Sequence, residues 1–172
     1  PRGSYLEALN PLTVTLGVQN VSFVAQAVDW IPEVLYDIIR RAYKHKGLSF
    51  VRILQRCPEW LPNVFEPWMA DPMRTLLLTH EKGLTLSPNM AKVYKNTEQH
   101  DPLNLDRARE IAGLHDPIPV GILYQNPEVP CYEELRNAGQ QRSTRYIKSG
   151  LEAELDKFTI WPHGAEKARP SA

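Results

Sequence analysis

The chain has 172 residues, of which 42% are hydrophobic and 23% charged, and its 20 Lys and Arg balance 20 Asp and Glu. This composition predicts one globular core, and the zero net charge excludes a general electrostatic attraction to nucleic acid or to an anionic membrane. The apolar runs are far shorter than the roughly 20 residues that cross a bilayer, so we expect no membrane span.

The first elements of the chain lead into a buried strand. The opening residues, Pro-Arg-Gly-Ser, contain no initiator Met, and we expect the chain to begin at a cut. A short helical turn is predicted over Leu12–Val18, with Pro11 at its first position. The segment Val21–Val28 is almost wholly apolar and rich in β-branched residues, which predicts a strand that is covered on both faces.

A helix and a second strand follow. Apolar residues recur every three or four positions over Ile31–Tyr43, which predicts an amphipathic helix that Gly47 closes. The segment Leu48–Leu54 predicts another strand directly after that glycine. Strand, helix and strand in this order are typical of a crossover unit, so we expect the strands to lie parallel in one sheet of an α/β fold.

The rest of the chain is less regular. It predicts a helical piece over Pro67–Arg74, a strand at Leu76–Thr79 and a short amphipathic helix over Leu105–Leu114. The stretch from Leu84 to Asp101 is polar and weakly patterned. Two prolines precede the apolar segment Val120–Tyr124, which therefore predicts an edge strand.

A change of composition divides the chain into two parts. Residues 1–136 contain all of the strands predicted above. Residues 137–172 are polar, and Leu151–Phe158 is the one periodic piece among them. We therefore predict a domain over 1–136 and a tail over 137–172 that wraps a partner or stays mobile.

Two cysteines, Cys57 and Cys131, lie far apart in the sequence and form no Cys-x-x-Cys pair. This spacing argues against a disulfide framework and predicts an intracellular, cytoplasmic protein. Considered alone, each thiol is expected to be a small buried group in the core.

Several other residues are candidates for chemistry, each with a simpler structural interpretation. His45 and Lys46 could steer an anion, but basic residues at a helix C-terminus already complement the helix dipole. Three adjacent pairs could act as acid and base or bind a metal, although neighbours in loops rarely converge: His80 with Glu81, His100 with Asp101, and His115 with Asp116. The four tryptophans are more typical of packing or of a subunit face: Trp30, Trp60, Trp68 and Trp161.

Four motifs in a fixed order resemble a known family. They are Ser22-Phe-Val-Ala-Gln26, His45-Lys-Gly47, Leu54-Gln-Arg-Cys-Pro58 and Asp116-Pro-Ile-Pro-Val-Gly-Ile-Leu-Tyr124. Together they resemble the C-terminal half of the beta, thiamine-diphosphate-binding subunit of 2-oxoacid:ferredoxin oxidoreductases. The likeness covers roughly residues 8–136 and most resembles the 2-oxoglutarate branch. It implies part of a thiamine-diphosphate-binding fold, with a mostly parallel sheet flanked by helices.

The resemblance gives Cys57 a specific role. It implies that this thiolate is the fourth ligand of a [4Fe-4S] cluster whose other cysteines come from the N-terminal half of the beta chain. Cys131 matches no ligand position and is expected to be structural.

The same resemblance implies thiamine diphosphate and Mg²⁺ in the intact enzyme. The family binds them through a Gly-Asp-Gly motif and a following Asn, whose hard oxygen ligands suit Mg²⁺. The sequence contains no Gly-Asp pair, so no catalytic or cofactor-binding residue is assigned. We expect the isolated chain to bind none of these cofactors and to be inactive.

The implied activity is oxidative decarboxylation of a 2-oxoacid to an acyl-CoA, with electrons passed through iron-sulfur clusters to ferredoxin. Among 2-oxoacids, the resemblance favours 2-oxoglutarate. The implied partners are the alpha/gamma-type subunit, the missing N-terminal half, ferredoxin, coenzyme A and the 2-oxoacid, with no nucleic acid and no membrane. A rival interpretation is a non-catalytic assembly or interaction domain of the same ancestry, in which Cys57 binds nothing.

Overall fold

The structure is a computed structural model that describes residues 5–6, 8–81, 83–84, 86–138 and 144–158. The chain divides into two compact units, one ending at Tyr132 and the other beginning at Glu133. The helices are α1 (Pro11–Thr15), α2 (Pro32–Lys44), α3 (Glu66–Ala70), α4 (Pro88–Val93), α5 (Leu105–Ala112), α6 (Tyr132–Asn137) and α7 (Thr144–Asp156). The strands are β1 (Phe23–Val28), β2 (Ser49–Leu54), β3 (Thr75–Thr79), β4 (Thr97–Gln99) and β5 (Ile118–Gln125). A 3-10 turn at Pro72–Arg74 leads into β3.

The five strands form one mixed sheet in the order β2-β1-β5-β3-β4. Strands β1 and β2 are parallel, with Phe23 opposite Ser49 and Val28 opposite Leu54. Strand β3 is parallel to both β4 and β5, whereas β5 runs antiparallel to β1. The predicted α/β class is confirmed, and so is the prediction of two parallel strands joined by a helix.

Helices cover both faces of the sheet, as alternate side chains of a strand require. On one face Phe23, Ala25 and Ala27 of β1 pack into a core that includes Val34 and Ile38 of α2. On the other face, Leu12 of α1, Leu16 at its C-terminal cap and Ile111 of α5 pack with Val24 of β1. All six residues of β1 are buried, which confirms the prediction of a strand covered on both sides.

The prediction that Val120–Tyr124 forms an edge strand is wrong. Strand β5 lies in the middle of the sheet, between β1 and β3, and it includes Pro119. The ladder with β1 ends at the pair Gln26 and Gly121, so the backbone of Pro119 has no partner strand on that side. The buried side chain of Gln26 fills this gap by donating from Nε2 to the carbonyl oxygen of Pro119 at 2.7 Å. The missing N–H of Pro119 is tolerated because the ladder with β1 has already ended there, and Gln26 satisfies the carbonyl oxygen that this leaves open.

Strand β5 also approaches β3 closely at Gly121. This residue has φ +141°, and a Cβ built there would lie 2.8 Å from Cβ and 3.0 Å from the carbonyl oxygen of Leu78. Both distances are shorter than packed carbon atoms tolerate. The centre of the sheet therefore requires glycine at this position.

Helix α2 ends one residue beyond the predicted Tyr43 and before Gly47. Its last helical residue is Lys44, and the amide of His45 donates to the carbonyl of Arg41 at 2.9 Å while its own backbone turns extended. Gly47, with φ +118°, belongs to the turn that follows. The prediction that Gly47 closes the helix is wrong, because His45 leaves the helical conformation first.

Two elements lie in the stretch for which the sequence predicted none. Helix α4 begins at a cap in which the Ser87 hydroxyl accepts the amide of Met90 at 3.4 Å, and β4 is only three residues long. Such short elements have too few residues to show a repeating pattern of apolar positions.

The second unit contains helix α7, which starts before the predicted periodic segment at Leu151. Residues 139–143 and 159–172 of the predicted tail lie outside the described residues, and the boundary at 136 stays a prediction. Among the helices that the structure describes, none has the length and apolar character of a membrane span.

Candidate functional site

Cys57 lies in a tight turn that begins three residues after β2 ends. The amide of Leu61 donates to the carbonyl of Cys57 at 3.0 Å, which closes the turn, and the amide of Trp60 donates to Sγ of Cys57 at 3.4 Å. The side chain is half-exposed. The turn therefore presents a sulfur atom to the surface with backbone N–H groups directed at it.

These amides change the acidity of the thiol. The hydrogen bond from the amide of Trp60 is the main reason why the pKa of Cys57 is lowered. Partial burial opposes this shift, and the amides of Glu59 and Leu61 reinforce it. Hydrogen bonds to a thiolate favour its charged form, which is both the nucleophile and the metal ligand.

An ion pair fixes the chain just before Cys57. The carboxylate of Asp29 accepts from both the backbone amide and Nε of Arg56, each at 3.3 Å, and the amide of Asp29 donates to the carbonyl of Leu54 at 3.0 Å. These contacts join the carboxyl ends of the parallel strands β1 and β2. Asp29 and Arg56 also line a cavity of about 440 Å³ together with Gln55, Pro58 and Pro62.

Aromatic residues support the segment beyond the turn. Phe65 contacts Trp30 and Trp68, with ring centroids 5.4 Å and 6.2 Å apart, and Arg74 lies over the ring of Trp68 at 4.7 Å. The packing role predicted for Trp30 and Trp68 is therefore confirmed. The side chain of Trp60 is 78% exposed, so within this chain it covers little. The fourth tryptophan lies outside the described residues.

The contacts of His45 are those of a residue with a structural role. Its Nε2 lies 2.9 Å from Oγ of Ser22, its ring contacts Phe23, and Ser22 donates its hydroxyl hydrogen to the carbonyl of Leu48 at 3.0 Å. Because that hydrogen is used, Nε2 must be the donor to Ser22. Burial lowers the pKa of His45, so the ring favours its neutral form. These contacts hold the turn after α2 against β1, which agrees with the structural interpretation.

The remaining histidines do not act as adjacent pairs. His115 is exposed, and Asp116 instead binds Nε of Arg74 at 3.1 Å through both oxygens, which lowers the pKa of its carboxyl. His80 and His100, taken from two different predicted pairs, lie together with ring centroids 6.4 Å apart and planes at 84°. Sequence reasoning missed this pairing, although both residues directly follow strands, β3 and β4, that the structure shows to be parallel neighbours.

These residues supply only part of what a metal site requires. Among the described residues no group of three or more His, Cys, Asp and Glu side chains could hold a metal ion. Cys57 alone has the features of one thiolate ligand, because backbone amides stabilise its charged form at a half-exposed position. Cys131 is also half-exposed, just before α6, and its structural role stays a prediction. The chain thus offers one candidate ligand.

Comparison with protein families identifies one matching domain. Residues 79–140 match the family that comprises the C-terminal region of the pyruvate ferredoxin oxidoreductase beta subunit. This segment begins at the last residue of β3 and includes α4, β4, α5, β5 and α6, and hence both His80 and His100.

Curated relatives extend the similarity to nearly the whole chain. A 2-oxoacid:ferredoxin oxidoreductase subunit beta from Sulfolobus sp. is 30% identical over 162 residues, which are 93% of this chain and 50% of the relative. The 2-oxoglutarate oxidoreductase subunit KorB of Mycobacterium tuberculosis is 38% identical over 74 residues, 43% of this chain and 18% of that protein.

A solved structure shows the same fold. It is described as the 2-oxoglutarate:ferredoxin oxidoreductase from Magnetococcus marinus with 2-oxoglutarate, coenzyme A and succinyl-CoA bound. It superposes with a TM-score of 0.58 at 21% identity, over 90% of this chain and 47% of that chain. The chain therefore spans about half the length of the relatives it matches over most of its own length.

Proposed function

Because this chain carries the C-terminal domain of 2-oxoacid:ferredoxin oxidoreductase beta subunits, we propose that it works as part of such an enzyme. The enzyme would oxidatively decarboxylate a 2-oxoacid to an acyl-CoA and pass the electrons to ferredoxin. The similarity to KorB favours 2-oxoglutarate as the substrate. The alpha/gamma-type subunit and the N-terminal half of the beta subunit would be its partners, and the cytoplasm its location.

The observation that carries the proposal is the environment of Cys57. We assign this residue as one thiolate ligand of a [4Fe-4S] cluster, which when bound would carry single electrons towards ferredoxin. Its Sγ accepts the amide of Trp60, and the Asp29–Arg56 ion pair fixes the strand end from which the turn starts. Hydrogen bonds to the sulfurs are one of the means by which proteins tune such clusters.

Thiamine diphosphate and Mg²⁺ would be held elsewhere in the enzyme. The sequence contains no Gly-Asp-Gly motif, so no residue of this chain is assigned to them. The chain would supply the sheet, one cluster ligand and a surface for the other parts of the enzyme. By itself it would neither bind thiamine diphosphate nor reduce ferredoxin.

The test is Cys57→Ser in the complete enzyme, with Cys131→Ser as the matched control. A serine oxygen is a poorer ligand for iron than a thiolate, so Cys57→Ser is expected to lose iron and weaken one cluster signal in low-temperature electron paramagnetic resonance. Cys131→Ser should retain both. Full iron and an unchanged signal in Cys57→Ser would favour the rival function, a non-catalytic assembly domain.

A further inference from the structure

A cleft of about 570 Å³ lies where three parallel strands end. His80 follows β3, His100 follows β4, and Gln125 is the last residue of β5. In α/β sheets the carboxyl ends of parallel strands are the usual place for a ligand, because the loops beyond them diverge and leave a crevice. The volume is in the range of small-molecule pockets.

Backbone hydrogen bonds tie the three strand ends together. The amide of His100 donates to the carbonyl of Thr79 at 3.2 Å, which joins β4 to β3. The amide of Gln125 donates to the carbonyl of Pro102 at 2.9 Å, which joins the loop after β4 to β5. The floor of the cleft is therefore built into the sheet.

His100 contributes a buried polar atom that is not satisfied within the described part of the chain. His100 is only 8% exposed, and its Nε2 lies 3.2 Å from the carbonyl oxygen of Leu123. Because a carbonyl only accepts, Nε2 carries hydrogen, and Nδ1 of the neutral ring is an acceptor. Among the described residues, that Nδ1 has no hydrogen-bond partner, whereas the buried Nε2 of His80 lies against Gly83. Buried polar atoms without partners are uncommon, and one on a residue that lines a cleft is available to a ligand.

The lining is acidic and apolar. Glu81 and Asp101 contribute carboxylates, and Leu103 and Pro127 contribute apolar surface. Among the lining residues that the structure describes, none is Lys or Arg. Burial lowers the pKa of His80, and the neighbouring His100 and Arg41 add to this effect, whereas Asp101 opposes it. The ring of His80 therefore adds little positive charge.

We propose that this cleft binds a small molecule that carries an amine or amidine group on an apolar body. The carboxylates of Glu81 and Asp101 pair with its positive charge, the imidazole of His100 accepts one of its N–H groups, and the apolar wall contacts its body. Cationic N–H donors form shorter and stronger hydrogen bonds to carboxylates than neutral donors do.

Benzamidine is a suitable probe, and benzoate, which has the same shape and the opposite charge, is its control. Titration of the full chain by saturation-transfer difference NMR should show saturable binding of benzamidine, with benzoate at least about tenfold weaker because acceptors repel its carboxylate. Glu81→Gln changes an exposed residue and should weaken benzamidine binding about threefold or more by removing a charge.

His100→Leu removes the buried acceptor and should weaken benzamidine binding by about tenfold. His115→Leu, which changes an exposed histidine outside the cleft, should leave it unchanged. If His100→Leu fails to fold, the effect of Glu81→Gln on benzamidine binding still tests the proposal. Equal binding of benzoate and benzamidine, no saturable binding of benzamidine, or unchanged binding in Glu81→Gln would overturn the proposal.

Discussion

Gln26 Nε2 donates to the carbonyl oxygen of Pro119 at 2.7 Å, across 93 positions of sequence. Gln26 is almost fully buried, and the bond lies where the ladder between β1 and β5 has ended. A side chain therefore completes the centre of the sheet at the point where the backbone cannot.

Replacing this amide tests how much the sheet depends on it. Gln26→Leu leaves the carbonyl of Pro119 without its donor, and it also removes the unpartnered Oε1 of Gln26, which offsets part of the loss. We expect the free energy of unfolding to fall by about 1–2 kcal/mol in urea denaturation. Gln55→Leu, at an exposed position, should change it by less than about 0.5 kcal/mol. Equal stability of the two variants would contradict this role.

The acidity of Cys57 should depend on the amide of Trp60 and not on its indole. Trp60→Pro removes the N–H that donates to Sγ, whereas Trp60→Ala keeps it and loses only an exposed ring. Since that N–H stabilises the thiolate, its removal should raise the pKa of Cys57. The pH dependence of iodoacetamide alkylation of the cluster-free chain measures this. Trp60→Pro should need a higher pH for half-maximal alkylation than Trp60→Ala, and coincident profiles would refute the assignment.

Gly47 should tolerate no side chain. Its φ is +118°, and a Cβ there would lie 2.7 Å from Oγ of Ser22, which also contacts His45. We expect Gly47→Ala to lower the unfolding free energy by about 1–3 kcal/mol through backbone strain. Gly150→Ala is the matched control in α7, where nothing lies within 4 Å of the new methyl group. It should leave the unfolding of the first unit unchanged, as thermal denaturation monitored by tryptophan fluorescence would show.

Local patterns were enough to predict β1, α2 and β2. All six residues of β1 are buried, and Val34 and Ile38 of α2 face the core one turn apart. The spacing of apolar residues in the sequence was therefore sufficient to indicate the strand and the helix. The place of β5 could not be read in this way. Pro117 and Pro119 indicate an edge, but the ladder with β1 ends before Pro119, and Gln26, remote in sequence, satisfies the carbonyl that this leaves open.

The candidate site was predictable to a similar extent. The order of four motifs singled out Cys57, but the amides that direct hydrogen bonds at its sulfur depend on the closed turn to Leu61. His80 and His100 were each noticed beside an acidic neighbour. Their actual pairing depends on β3 and β4 being parallel neighbours, and β4 is too short to be recognised from its sequence.

The central position of β5 has a consequence for the order in which the molecule assembles. The pairs β1–β2 and β3–β4 each join strands near in sequence, but they meet only through β5, the last strand along the described chain. During synthesis these two pairs can be joined into one sheet only after residues 118–125 have left the ribosome. Isolated two-stranded sheets are marginal in water, so insertion of β5 would be the slow, cooperative event that commits the chain to its native topology.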